Sequence, residues 1–230
     1  MRKIRRSFGI WIVPVALAIS AGKVPLLAQG VTVTGQVTLL DKGDRPPSDV
    51  GQAVVWLIGD QASAGTPATV EIATEDKQFV PRLIVVARGS TVAFPNHDPF
   101  NHNVFSVSPE GPFDLGLYGR GTAKSVRFDR AGVIKVYCNV HASMRGLVVV
   151  QETSLSAQPG ADGSFRMDGV PPGDYILHVW HERAPEVTTP LKVMERGMAP
   201  VAVTLDARGY RFVQHKDKNG RSYSDRSRRY

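Results

Sequence analysis

Residues 133–146 read VIKVYCNVHASMRG and contain the single cysteine of the 230-residue chain. The first six residues alternate between the two sides of an extended chain, which predicts a β-strand with Lys135 facing water. Cys138, His141 and Met144 then follow at intervals of three, and side chains with this spacing in a tight loop can all face one point. The stretch therefore predicts a strand that ends in a metal-binding loop.

The chemistry of these side chains favours copper. A thiolate, an imidazole and a thioether are soft or borderline ligands, and His2Cys with a weak axial Met is the ligand set of blue-copper electron-transfer sites. A second histidine must come from elsewhere in the chain. His102 is the preferred candidate because it opens an apolar strand, whereas His97 lies in a Pro- and Asn-rich turn and is the alternative.

The segment from about residue 68 to residue 151 resembles the cupredoxins, the plastocyanin and amicyanin group of small blue copper proteins. The resemblance is carried by three stretches: Phe79-Val80-Pro81 with residues 86–96, then His102-Asn103-Val104, then residues 137–144. It implies a Greek-key β-sandwich that carries single electrons on one copper ion, Cu(I)/Cu(II), and is not an enzyme. The ligand roles of the family fall on His102, Cys138, His141 and Met144.

The resemblance also assigns supporting roles near the site. Asn103 corresponds to a residue that ties the two ligand loops together. Asn139 and Val140 depart from the usual Ser or Thr after the Cys and the usual Pro before the loop His, so the tuning of the site is expected to differ. An apolar surface patch where redox partners dock is expected around Phe100 and Ala142.

The flanking segments carry a second pattern. Residues 31–65 and 153–206 contain alternating strands punctuated by Asp-Gly and Pro-Pro-Gly-Asp turns. Together they resemble a carboxypeptidase regulatory-like, transthyretin-type β-sandwich, which implies scaffolding or adhesion. We expect an all-β chain with the cupredoxin domain, residues 66–152, inserted into this second sandwich. The alternative is that residues 31–60 extend the cupredoxin sheet.

The chain ends and the charge distribution bear on location and partners. A basic start followed by an apolar stretch predicts a signal peptide over residues 1–28, hence a periplasmic or secreted protein, with an uncleaved anchor as the alternative. The formal charge is +7, but residues 29–206 hold 15 basic and 19 acidic residues, a balance of −4. Nucleic-acid binding therefore loses its support. Residues 207–230 are expected to form a disordered basic tail, with His215 in solvent, that could touch a membrane surface or an acidic partner.

Three functions are compatible with these features. Electron transfer between redox proteins by a monomeric carrier is preferred. Copper storage or delivery is the first alternative, because carriers also use Met and His. A non-catalytic adhesion or interaction module is the second.

Overall fold

The structure, a computed structural model, describes residues 30–43 and 47–223. The segment 1–28, for which a signal peptide is expected, lies outside the described residues. Within them, seventeen β-strands and one short 3-10 helix (Val50–Gln52) form, so the all-β prediction is confirmed. The strands are β1 Val31–Leu40, β2 Val54–Ile58, β3 Thr69–Glu71, β4 Ala73–Glu75, β5 Gln78–Val80, β6 Leu83–Ala87, β7 Thr91–Pro95, β8 His102–Ser106, β9 Phe113–Tyr118, β10 Ala123–Arg127, β11 Gly132–Cys138, β12 Arg145–Gln151, β13 Ser156–Ala157, β14 Ser164–Val170, β15 Gly173–His181, β16 Ala184–Val193 and β17 Val201–Asp206. No helix in this part of the chain is long and apolar enough to cross a membrane.

The middle of the chain forms a five-stranded sheet, β6-β12-β11-β8-β9, and a three-stranded sheet, β10-β7-β3, with the hairpin β4-β5 beside them. In β11 the side chains alternate as predicted, with Lys135 exposed and Ile134, Val136 and Cys138 buried. The core of this part is apolar and includes both sulfur-bearing residues of the loop. Its buried members are Ile72, Phe79, Val86, Val92, Phe94, Val104, Tyr118, Phe128, Ile134, Val136, Cys138, Met144, Val148 and Val150.

The strands at the two ends of the chain pair with each other. β1 runs antiparallel to β14 and parallel to β17. β2 pairs with β13 and β15, and β16 completes that sheet. A separate core lies among these strands, including Val33, Val55, Leu57, Leu177 and Leu205. The chain leaves these strands near Ala64 and returns to them near Thr153. These two residues form an isolated antiparallel bridge, so the two connections lie side by side.

A third apolar cluster joins the two parts. Its fully buried members are Val54 from β2, Leu83 from β6, and Leu147 and Val149 from β12, and Trp56 and Trp180 lie against them among other half-buried residues. Arg82 adds a hydrogen bond to Gln52 and an ion pair with Glu182. One face of the five-stranded sheet is therefore packed against the sheets that the two ends of the chain form.

The segment after β17 does not form the disordered tail that its composition predicts. Residues 208–223 are ordered and fold back onto the loop after β11, and the expectation of a disordered tail is wrong for them; residues 224–230 are not described. His215 is not solvated, because its ring stacks on Tyr137 with centroids 4.1 Å apart. The charge count missed the aromatic and amide side chains interleaved with the basic ones, which supply the contacts.

Candidate metal centre

Two neighbouring strands bring the candidate ligands together. β8 begins at His102 and β11 ends at Cys138, and these strands pair antiparallel with Cys138 opposite Val104. The start of one strand therefore lies beside the end of the other. His141 follows in the turn that leads to β12, and a hydrogen bond from the Met144 N–H to the His141 carbonyl (3.1 Å) closes that turn.

Three donor atoms face one another at the centre of this arrangement. The Nδ1 atoms of His102 and His141 are 3.2 Å apart, and the Cys138 Sγ lies 3.5 Å from the first and 3.8 Å from the second. A point equidistant from all three lies about 2.0 Å from each, which is close to the 2.0–2.3 Å that metal–imidazole and metal–thiolate bonds require. The three side chains thus fit one metal ion with little movement.

All three candidate ligands are buried. His102 and Cys138 are 0% exposed and His141 is 4% exposed. Burial lowers the pKa of His102, and burial followed by repulsion from His102 lowers the pKa of His141 to about 4. Both imidazoles are therefore neutral near pH 7, with lone pairs available to a metal.

Without a metal ion to compensate the charge of a thiolate, the buried Cys138 favours the neutral thiol. Burial raises the pKa of Cys138, although backbone N–H groups of Asn103, His141 and Val140 act against that rise. The Val140 N–H donates to the sulfur at 3.4 Å. A bound metal would replace the thiol proton, and the same N–H groups would then stabilise the thiolate.

Asp98 is a further candidate residue of the site, and the sequence analysis does not identify it. Its Oδ2 accepts a hydrogen bond from the His102 Nε2 at 2.8 Å, and its carboxylate also accepts the N–H groups of Asp76 (2.8 Å) and Lys77 (3.1 Å). With Nε2 donating, the His102 Nδ1 carries the lone pair and faces the sulfur. The signal in the sequence is a carboxylate four residues before the candidate ligand His102, in the Pro- and Asn-rich turn that also contains His97.

The other predicted residues fall at different distances from this centre. His97 is exposed and does not belong to the buried group of His102, Cys138 and His141. Met144 is 1% exposed within the same core, and its carbonyl accepts the Cys138 N–H at 3.4 Å.

Asn103 links the two ligand segments through its main chain. Its carbonyl accepts the Asn139 N–H at 2.9 Å, and its side-chain amide donates to Asp114 at 2.6 Å. The Asn139 side chain accepts the Lys218 N–H at 2.9 Å.

Of the two residues expected in a docking patch, Phe100 and Ala142, only Phe100 is partly exposed. The Phe100 ring is half-buried and lies 5.2 Å from the His141 ring. Ala142 is only 6% exposed, and its carbonyl accepts a hydrogen bond from Gln214. The expectation that Ala142 forms part of an open surface is therefore wrong, because residues 208–223 cover it.

The two histidines of β15, His178 and His181, make hydrogen bonds with different residues. His178 is hydrogen-bonded to Glu186 at 2.6 Å, and His181 is hydrogen-bonded to the Asp49 carbonyl at 3.1 Å. Among residues 30–43 and 47–223 they share no partner, and neither of them belongs to a group of three His, Cys, Asp or Glu side chains that could hold a metal ion.

Comparison with known proteins identifies the middle of the chain. A sequence model described as copper binding proteins, plastocyanin/azurin family, matches residues 67–151. Chloroplastic plastocyanin of Pisum sativum is 30% identical over 119 residues, which cover 44% of this chain and 71% of that protein. Plastocyanin of Vicia faba is 34% identical over 85 residues, which cover 31% of this chain and 86% of that protein.

Among solved structures, a purple cupredoxin from Nitrosopumilus maritimus is 26% identical, with 36% of this chain and 99% of that chain covered and a TM-score of 0.32. The family cofactor, copper, agrees with the donor set described above. With this sequence match and this group of side chains, the chain belongs to the plastocyanin/azurin family of copper-binding proteins, the cupredoxins.

Proposed function

We propose that this chain is a type 1 copper protein that carries single electrons between redox partners. The observation that carries the proposal is the buried triangle of two imidazole nitrogens and one sulfur, with sides of 3.2, 3.5 and 3.8 Å. His102, His141 and Cys138 would hold the copper, and the Met144 thioether would be the weakest of the donors. When bound, the copper supplies the one-electron redox chemistry.

The protein's part is to keep the donor positions fixed while the charge of the ion changes. His102 and Cys138 belong to paired strands, and the His102 ring is additionally held by Asp98. Such a frame limits the rearrangement that accompanies each electron, because the side chains cannot relax toward the geometry that either oxidation state prefers. Backbone N–H donors at the sulfur and the carboxylate behind His102 would set the potential.

Electrons would enter and leave through His141. This ring is the least buried of the three candidate ligands, and the half-exposed Phe100 lies against it. The Lys77 ammonium lies 5.1 Å from the Phe100 ring centroid and places one positive charge beside this ring. The donor and acceptor would be redox proteins that dock there, with the chain acting as a monomer and with no role for nucleic acid.

A carrier explains the site better than an enzyme. Metal catalysis needs an open coordination position at which a substrate can bind. Here the donor atoms are buried, and among the described residues this is the only group of three His, Cys, Asp or Glu side chains close enough to share an ion. Copper storage or delivery is the second candidate, since the buried Met144 belongs to the same apolar cluster as Cys138.

We further propose how the chain is organised and where it works. The pairing of β1 and β2 with strands after residue 155 supports a cupredoxin domain inserted into a carboxypeptidase regulatory-like sandwich that acts as a scaffold. The basic and apolar residues 1–28 support export to the periplasm or the outside of the cell. Mass spectrometry of protein recovered from the periplasm and from the medium would locate the mature amino terminus.

Copper titration tests the proposed function. Addition of Cu(II) to the purified protein should give an intense visible thiolate-to-copper band that saturates at one ion per chain. Cys138→Ser and His102→Ala should each abolish the intense band, while His97→Ala, the matched control, should leave it unchanged. Weak absorption alone, together with rapid loss of copper to a chelator, would favour storage or delivery.

A further inference from the structure

The segment after β17 makes a concentrated set of contacts with the ligand loop. The Tyr223 hydroxyl donates to the Cys138 carbonyl at 2.7 Å, the Lys218 N–H donates to the Asn139 side chain at 2.9 Å, and the Gln214 amide donates to the Ala142 carbonyl at 2.5 Å. Three residues of the Cys-x-x-His-x-x-Met loop are thus bonded to this segment. Together these bonds hold both ends of the Cys138–Ala142 turn.

Ring contacts reinforce these hydrogen bonds on either side of the loop. His215 stacks on Tyr137, the residue before Cys138, with an angle of 17° between the ring planes. Tyr223 meets the edge of the His215 ring at 5.1 Å between centroids. On the far side of the loop, the Arg145 guanidinium lies 4.6 Å from the Phe212 ring centroid.

Lys218 also reaches the segment that carries the other histidine. Its ammonium bonds the Asp114 carboxylate at 2.6 Å, and Asp114 in turn accepts the Asn103 side-chain amide at 2.6 Å. Asn103 is the neighbour of His102. One residue of the segment is therefore connected to both ligand-bearing stretches.

The segment has its own local structure. The Asp217 carboxylate accepts the backbone N–H groups of Asn219 (2.9 Å) and Arg221 (2.8 Å), and Gly220 adopts a positive φ of 75° that closes the turn. This turn presents Lys218 to the loop. The contacts therefore come from a defined turn, which costs less entropy to dock than a fully flexible tail would.

We infer that residues 208–223 form a strap that holds the copper-ligand loop in its binding geometry. The strap lies outside residues 67–151, the stretch that matches the family, so the family fold alone does not provide it. Because Tyr223 is buried (8% exposed) and bonds the carbonyl of a ligand residue, it is a positioning residue for the copper site. The consequence for copper rests on the proposed function, but the restraint on the loop does not.

The test uses the full chain with Tyr223→Phe, which removes one hydroxyl and retains the ring. Tyr210→Phe is the matched control, because Tyr210 lies on the same segment and its hydroxyl has no hydrogen bond to the loop among the described residues. Hydrogen exchange of amides 139–144 is measured first, in copper-free protein. Tyr223→Phe should speed this exchange about fivefold, the factor that loss of one net hydrogen bond gives, while amides of β1 stay unchanged.

The second readout is the rate at which the copper-loaded protein loses its metal to a chelator. A strap that holds the loop predicts a rate about fivefold higher for Tyr223→Phe than for Tyr210→Phe. Equal loop exchange in the two variants would overturn the strap, whether or not copper binds. Faster loop exchange in a protein that shows no intense copper band would support the strap and reject the type 1 assignment.

Discussion

Asp98→Asn tests whether the Asp98 carboxylate supports His102 as a copper ligand or whether His102 is a buried histidine with no role in metal binding. The carboxylate accepts three hydrogen bonds: Oδ1 from the Asp76 N–H, and Oδ2 from the Lys77 N–H and the His102 Nε2. Asparagine has nearly the same shape but only one acceptor oxygen. One orientation of its amide places NH2 against Lys77 and His102, and the other places NH2 against Asp76.

The cost follows from that mismatch. In the better orientation one charge-assisted hydrogen bond is lost, and the bond to His102 loses the charge of its acceptor. Hydrogen bonds to charged groups contribute about 1.5–3 kcal/mol each, so we expect the free energy of unfolding of the copper-free protein to fall by about that amount at pH 7. Urea unfolding followed by circular dichroism measures it.

The metal site should respond as well. The carboxylate keeps the His102 Nδ1 unprotonated and makes it a stronger donor, and partners of this kind typically change metal affinity 10–100-fold. If Cu(II) binding weakens tenfold more than Cu(I) binding, the reduction potential of Asp98→Asn rises by about 59 mV, the value of a tenfold change for one electron. Chelator competition and a redox titration followed in the visible region measure the two quantities.

The pH dependence has a defined sign. Burial acts to raise the pKa of Asp98, but the N–H of Lys77, the His102 ring and the N–H of Asp76 outweigh it, so the folded pKa lies below the unfolded value of about 3.9. Its contribution is therefore present above pH 4 and is lost as the pH falls through the folded pKa. The stability difference between the native copper-free protein and Asp98→Asn should shrink below pH 4.

Asp76→Asn is the control for these measurements. It removes the same charge from the neighbouring β4–β5 turn, but the Asp76 side chain is exposed and only its backbone N–H contacts Asp98. Equal stability, affinity and potential for the two variants would refute a specific role of Asp98 behind His102.

Other regions give further predictions. Cu(II) binding near pH 7 should release one proton per chain, because burial raises the Cys138 pKa and keeps the sulfur protonated until the metal binds. A pH indicator measures this release, and Cys138→Ser should abolish it. A native protein that releases no proton would contradict the buried thiol. Leu147→Ala, in the cluster between the two parts, should lower the free energy of unfolding by about 2–5 kcal/mol in urea titrations, and a loss under 1 kcal/mol would contradict the tight packing described there. Asn103→Ala should cost about 1 kcal/mol and accelerate chelator-driven copper loss, because Asp114 loses one of its hydrogen-bond donors. An unchanged rate would show that the Asn103 side chain does not support the site.

The fold was predictable where local pattern and buried side chains agree. The alternation from Val133 to Cys138 gave strand β11 with the correct inner face, and the Cys-x-x-His-x-x-Met spacing located the loop. His102 was preferred over His97 because it opens a strand, and the structure has it buried beside the sulfur.

Other features depend on distant contacts that carry no local signal. Asp98 becomes significant only once the turn folds toward His102. The strap carries no local signal either: a count of basic residues predicts a solvated tail, whereas Tyr223 and His215 contact residues 85 and 78 positions earlier in the chain, Cys138 and Tyr137. Side chains that contact residues so far away in sequence are invisible to periodicity and composition.

The most direct test of the copper site is the metal position itself. Crystals of the copper-loaded protein, measured at the copper absorption edge, should show one anomalous peak at about 2.0–2.3 Å from the Nδ1 atoms of His102 and His141 and from the Cys138 Sγ. A principal copper peak at His97 or elsewhere on the surface, with those three side chains still free, would contradict the account.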